Sequence, residues 1–265
     1  MKRIISISAL LPLLASCEKE LDFHYHDVEP QLVIEGAVTA DSTTVTLTST
    51  TPMDEPMNTT RLTDATVTLS DLTAGTSEVL LPDTEGRFTD HTPGAEGHEY
   101  QIEIIRDGKT YRATSTMRPA VELLGLEFQW IKMPYDYVAV LQVSFTDPPS
   151  ADDCYWVRVY RNGEAYCWSV LDDIHSADGI INEVILTSRK DTGEEDDNKI
   201  LLDGDIVTAS VTPVSRTMFD YLMSLQADSN GVPMFSGDFC LGYFLAAPVS
   251  QASITFRPDE MPEYK

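Results

Sequence analysis

A chain of 265 residues with 43 acidic against 18 basic side chains, formally −25 at pH 7, argues against nucleic acid and anionic lipid as partners, because the summed field repels both. Only four cysteines are present, and one of them closes the N-terminal leader, so the remaining Cys154, Cys167 and Cys240 cannot all pair within one chain and no disulfide scaffold is expected. No stretch after the leader reaches the ~20 apolar residues that a membrane-spanning helix needs.

The leader itself has three parts: Met1-Lys2-Arg3, the mostly apolar run Ile4 to Leu14, and the small pair Ala15-Ser16 before Cys17. This is the build of a secretory signal, too short to span a bilayer. Ending it on Cys17 resembles the bacterial lipobox, which implies cleavage after residue 16 and acylation of Cys17 by palmitate-type chains. Two or three chains at ~0.8 kcal/mol per buried methylene make such attachment lasting. Residues 17–29 then read as an acylated tether, polar and without apolar period. His24 and His26 lie in it with no third ligand at recognisable spacing, so no metal is expected there. Glu18-Lys19-Glu20 resembles the short charged signals that send Bacteroidota lipoproteins to the cell surface, which implies an outer-membrane protein facing the exterior.

From residue 30 the pattern turns to period two. Thr44 to Thr48 alternates as a half-buried strand does, and Gln31 to Val38, Ala65 to Leu69, Glu78 to Leu81, Tyr100 to Ile105 and Thr110 to Ser115 read likewise. Asp107-Gly108 between the last two favours a type I′ hairpin turn. Ala65 to Asp71, Thr84-Glu85-Gly86-Arg87-Phe88 and His98 to Ile102 together resemble the transthyretin-like, carboxypeptidase-regulatory β-sandwich. That likeness implies a glycine turn placing Phe88 in the core and a tyrosine-led strand at Tyr100. Pro119 marks a joint, giving a β-sandwich over 30–118 and a second β-rich domain over 120–265.

In the second half, Ala139, Leu141, Val143 and Phe145 share one strand face, and Asp147-Pro148-Pro149 ends the strand. A two-residue Asn162-Gly163 loop predicts a hairpin with Tyr160 opposite Ala165, Arg158 opposite Cys167 and Trp156 opposite Ser169. Its core face then holds Tyr155, Val157, Val159, Tyr166, Trp168 and Val170. The other face presents Trp156, Arg158 and Tyr160 as a candidate interface, residue types that carry binding energy when exposed and that otherwise belong to a covered core. Cys154 and Cys167 lie too far apart along the hairpin for a bridge, and either remains free to pair with Cys240. Asp191 to Asn198 and Asp228 to Gly231 are oxygen-rich but lack EF-hand spacing, and read as solvated loops. A strand is expected over 199–202. Ser215 caps a helix over 216–227 whose Met218, Tyr221, Leu222 and Leu225 face a sheet, and a last strand covers Ala252 to Phe256.

Taken together, the lipobox and tether, Gln31 to Gly36, Ala65 to Leu69, the Ser215-to-Leu225 helix with Tyr221-Leu222, and Leu241-Gly242-Tyr243-Phe244 resemble the Bacteroidota lipoprotein family of domain of unknown function 4249. That resemblance implies a surface-tethered β-protein that accompanies TonB-dependent outer-membrane receptors, and it supplies no catalytic residues.

No Gly-x-Ser-x-Gly, His-Glu-x-x-His, Walker or Cys-x-x-Cys motif occurs, and His91, His98 and His175 have no partner nucleophile nearby in sequence. The expected function is therefore a non-enzymatic binding or accessory lipoprotein without cofactor. The alternative is a fimbrillin-like or surface-layer subunit, for which Arg61 is the one arginine between the leader and Arg87 where proteolysis would free a first strand.

Overall fold

The structure is a computed structural model that describes residues 29–52, 55–56, 60–134, 137–148, 153–173, 178–189, 200–227, 229 and 231–263. The leader, Cys17, most of the tether with His24 and His26, His175, the 191–198 loop, and Asp228 and Asn230 lie outside the described residues.

The chain is mainly β. Strands β1 (Leu32–Val38), β2 (Thr43–Ser49), β3 (Thr66–Asp71), β4 (Thr76–Pro82), β5 (Phe88–Asp90), β6 (Glu99–Arg106) and β7 (Lys109–Thr116) come first. Then follow β8 (Leu123–Lys132), β9 (Tyr137–Thr146), β10 (Cys154–Arg161), β11 (Glu164–Asp172), β12 (Ile180–Arg189) and β13 (Ile206–Val214). The helix α1 (Arg216–Gln226) leads into β14 (Ser236–Gly237), β15 (Leu241–Ala246) and β16 (Ser250–Thr255). Among the described residues no helix is long and apolar enough to cross a membrane.

The first sandwich is one curled sheet of nine strands, ordered β14-β7-β6-β3-β4-β5-β2-β1-β15. Its period-two alternation turns Ile34, Val45, Leu47, Val67, Ile102 and Ile104 inward, where all are fully buried. Phe88 follows Gly86, which adopts φ +76°, and Phe88 and Tyr100 both enter this core, as the transthyretin-like pattern implies. Both Asp-Gly and Asn-Gly hairpins have positive φ at both loop residues (51° and 74°; 50° and 90°), the condition for a type I′ turn.

Two of these nine strands come from the far end of the chain. β15 runs parallel to β1, with Ile34 opposite Gly242, and β14 pairs with β7. The Ala246 amide donates to Ser115 Oγ on β7 at 2.8 Å, drawing the two ends of the curled sheet together. The chain therefore passes the joint near Pro119, builds a second unit, and returns to complete the first.

That second unit packs a four-stranded sheet, β11-β10-β13-β16, on a three-stranded one, β12-β9-β8. Ala139, Leu141, Val143 and Phe145 lie between them, all fully buried, as their shared face predicts. The strand expected over 199–202 does not form: the described residues Ile200 to Leu202 are irregular, and β12 occupies the edge beside β9 instead. Pro213 sits in β13, which is central, yet beyond Val211, the last residue paired to β16, so its missing N–H removes nothing from that ladder.

The hairpin register departs from the expected one. Tyr160 does face Ala165, but a bulge between Val159 and Tyr160 shifts the rest, so Arg158 faces Trp168 and Trp156 faces Val170. A one-residue slip exchanges the faces of a strand. Cys167 thus joins Tyr155, Val157 and Val159 against the inter-sheet core, while Trp168 and Val170 pass to the face of Trp156.

α1 covers part of that second face. Ser215 Oγ accepts from the Met218 amide at 3.2 Å, and Met218, Tyr221 and Leu222 are buried, whereas Leu225 stays exposed.

Candidate functional site

The joint between the two units is built from side chains that five elements, β10, β11, β13, α1 and β15, bring together. Trp156 lies edge-on to Trp168 (centroids 6.3 Å apart) and to Tyr243 of β15 (5.9 Å), and Tyr243 meets Tyr221 of α1 at 6.1 Å. The Arg158 guanidinium stacks over Trp156 at 4.4 Å and donates to Thr212 Oγ1 at 3.3 Å. Trp156, Arg158 and Tyr160 are all half-buried, and the Trp156 Nε1 and Arg158 Nε atoms are enclosed without a protein partner. The mixed face read from the hairpin is thus largely the seat of α1 and β15. Burial, reinforced by the Glu35 carboxylate, pushes the Tyr243 phenol up to about 12.

Beside this joint opens a cleft of about 530 Å³ between β6 and β7 of the first sandwich and the N-terminal end of α1. Gln101, Arg112, Thr114, Ser215, Thr217 and Phe244 line it. Its cations are already matched: Arg112 donates to Glu103, and Arg118, at the rim, donates to Asp153 at 2.7 Å. What it offers a ligand is a set of hydroxyl and amide groups along its wall, the make-up of a polar recognition surface. Sequence reading missed it because its walls lie more than a hundred residues apart, and none of its residues breaks the alternation of its own strand.

A smaller polar mouth of about 110 Å³ opens at one end of the first sandwich, lined by Thr43, Asp71, Glu78, Asp90 and Tyr100. The signal for it was present in the parity. Thr43 precedes Val45 by two, Asp90 follows Phe88 by two, Glu78 precedes Leu80 by two and Asp71 follows Leu69 by two, so each continues an inward row past the end of the core. Asp71 Oδ2 binds His98 Nδ1 at 2.7 Å and its Oδ1 accepts from the Ala74 amide, which together hold its carboxyl below the usual range although burial opposes them. Burial and the Asp90 charge push the Glu78 carboxyl up, while Asp90, despite burial, is held low by hydrogen bonds from Thr92 and Glu78. Among the described residues no group of three or more His, Cys, Asp or Glu side chains is placed to hold a metal ion.

The three described cysteines occupy three different cores: Cys240 that of the first sandwich, Cys167 that between the two smaller sheets, and Cys154 that under α1. A pairing of Cys240 with either of the others is therefore ruled out, and all three thiols are free. Burial pushes Cys154 and Cys167 up to about 11 and Cys240 up to about 12, which keeps them protonated and unreactive at neutral pH. Titration of the native chain with a thiol reagent at pH 7 is expected to leave these three unmodified over minutes, and denaturant to release all three. A fast-reacting native thiol among them would contradict this burial.

A family model described as "Domain of unknown function (DUF4249)" matches residues 18–251. No curated protein matches. Among solved structures, a chain of a cytokine receptor complex aligns at 11% identity and TM-score 0.24, covering 84% of this chain and 95% of its own. A two-domain fibronectin type III segment of chicken tenascin aligns at 14% identity and TM-score 0.24, covering 86% and 99%.

Proposed function

The chain belongs to the DUF4249 family, and from that premise we propose that it is a lipid-anchored, non-enzymatic binding subunit of the bacterial outer membrane, working beside a TonB-dependent receptor. The anchor in this reading is Cys17, at the end of the signal-like leader. The observation that carries the binding role is the open polar cleft between the first sandwich and α1. Its hydroxyl and amide groups suit a polypeptide segment such as an extracellular loop of a receptor barrel. Its matched arginines give no excess positive field with which to draw in a free anion. The His98–Asp71 pair ties the start of β6 to the end of β3, and of the described thiols Cys154 and Cys240 are buried while Cys167 is partly buried.

Labelled palmitate is expected to enter the wild-type protein and not the Cys17→Ser variant. Purification of the tagged chain from outer membranes is expected to recover a barrel protein. Thr217 is exposed at the cleft wall, so Thr217→Trp fills the cleft without touching a core and is expected to abolish that recovery while leaving acylation intact. Repeated recovery of no barrel protein with the wild-type chain would overturn the proposal.

A further inference from the structure

We infer that the polar mouth at the end of the first sandwich is a calcium site, with the Glu78 and Asp90 carboxylates and the Thr43 hydroxyl as its protein ligands. Thr43 and Asp90 are cross-strand partners on β2 and β5, so their side chains leave the same face as the next pair inward, Val45 and Phe88. Glu78 lines the same space from β4.

The feature that calls for a ligand is Thr43. It is 1% exposed at the start of β2, and its Oγ1 is buried with no hydrogen-bond partner. A buried hydroxyl left unmatched is costly and uncommon in folded proteins. A water molecule would satisfy the hydroxyl alone. It would add no positive charge beside two neighbouring carboxyl groups, neither of which is ion-paired to Lys, Arg or His among the described residues, Asp90 being held by neutral Thr92 and by Glu78. The third acid, Asp71, is engaged by His98 and the Ala74 amide, and adds negative field rather than a ligand.

The donor set selects the ion. Oxygen ligands from three separate strands around a space of about 110 Å³ accommodate a large, flexible coordination sphere completed by water, at ~30 Å³ for each water. Calcium accepts such irregular mixtures, whereas magnesium demands near-ideal octahedral geometry. Two carboxylates place the affinity at roughly 10⁻⁴–10⁻³ M, the range of extracellular calcium modules.

Calorimetric titration of calcium chloride into the full chain at physiological salt tests this. One saturable site in that range is expected, weakened about tenfold or more by Glu78→Gln and by Asp90→Asn, several-fold by Thr43→Val, and not competed by equal magnesium. Glu78 is exposed, so Glu78→Gln keeps the test decisive if the Asp90 variant fails to fold. Binding that does not saturate by roughly ten times the upper end of that range, or that is unchanged in Glu78→Gln, would overturn the site. The readout is independent of any receptor partner.

Discussion

Replacing Gly242 by alanine is expected to lower the stability of the chain by about 4 kcal/mol, among the largest effects a single methyl group produces. Gly242 adopts φ +102°, a region that side chains avoid, and a Cβ built there lies 1.9 Å from the Ile34 carbonyl oxygen and 2.7 Å from its carbon. These are backbone atoms of β1, the central partner of β15, and they cannot move aside without breaking the parallel pairing of Val33 to Val38 with Leu241 to Ala246. Phe244, two residues on, is 1% exposed in the first core and also lines the cleft, so undocking β15 opens both. Gly75 provides the control. It has φ +70° but nothing within 4 Å of its Cβ position, so Gly75→Ala carries only the conformational cost of about 1 kcal/mol. Denaturant midpoints of the two variants should therefore differ by about 3 kcal/mol when converted. Equal midpoints would show that β15 does not press on β1 as closely as the structure has it.

Gly242 also marks the limit of what the sequence makes legible. Local alternation suffices to find six of the nine strands of the first sandwich (β1 to β4, β6 and β7) to within a residue or two, the two Gly-containing hairpin turns, and the capped helix, because each is determined by neighbours within a few positions. The parallel pairing of β1 with β15 joins residues some two hundred positions apart, and no period within either strand announces it. Leu241 to Phe244 is visible as a distinctive stretch, yet its reason, a backbone that must approach Ile34, exists only in the folded sheet. The bulge at Val159 and Tyr160 is hidden for the opposite cause: the Asn162-Gly163 turn correctly sets the first pair, and a single inserted residue beyond it exchanges every later side chain. That is why the aromatic face was legible as aromatic but not as the seat of α1. The polar mouth was recoverable in principle from parity alone, since Thr43, Asp71, Glu78 and Asp90 each extend an apolar row by one step.

Asp205→Ala is expected to cost about 3 kcal/mol, and to do so only above acidic pH. Asp205 is 8% exposed at the edge of the second unit. Its Oδ2 accepts from Arg161 Nε at 2.6 Å and from the Leu202 amide at 2.7 Å, and its Oδ1 accepts from Asn162 Nδ2 at 2.8 Å. Asn162 in turn accepts from the Ile206 amide at 2.9 Å, so one carboxylate fixes the hairpin turn of β10 and β11 to the loop that starts β13. Burial alone would raise its pKa, but the bonds from Leu202, Asn162 and Arg161 outweigh it and hold the carboxyl below the ordinary value. Since the folded pKa is the lower one, the unfolded chain takes up the proton first as pH falls. The contribution is therefore fully present above about pH 4, the unfolded carboxyl value, and is lost as pH drops through the folded pKa. Asp205→Asn keeps the volume but presents an N–H toward groups that are themselves donors, so it should lose nearly as much as the alanine variant. Urea midpoints of wild type and both variants should differ by that amount near neutrality and converge as the solution is acidified through the folded pKa of Asp205. A gap that stays constant through that range would mean that the side chain stabilises by packing, and that its charge contributes nothing to the turn.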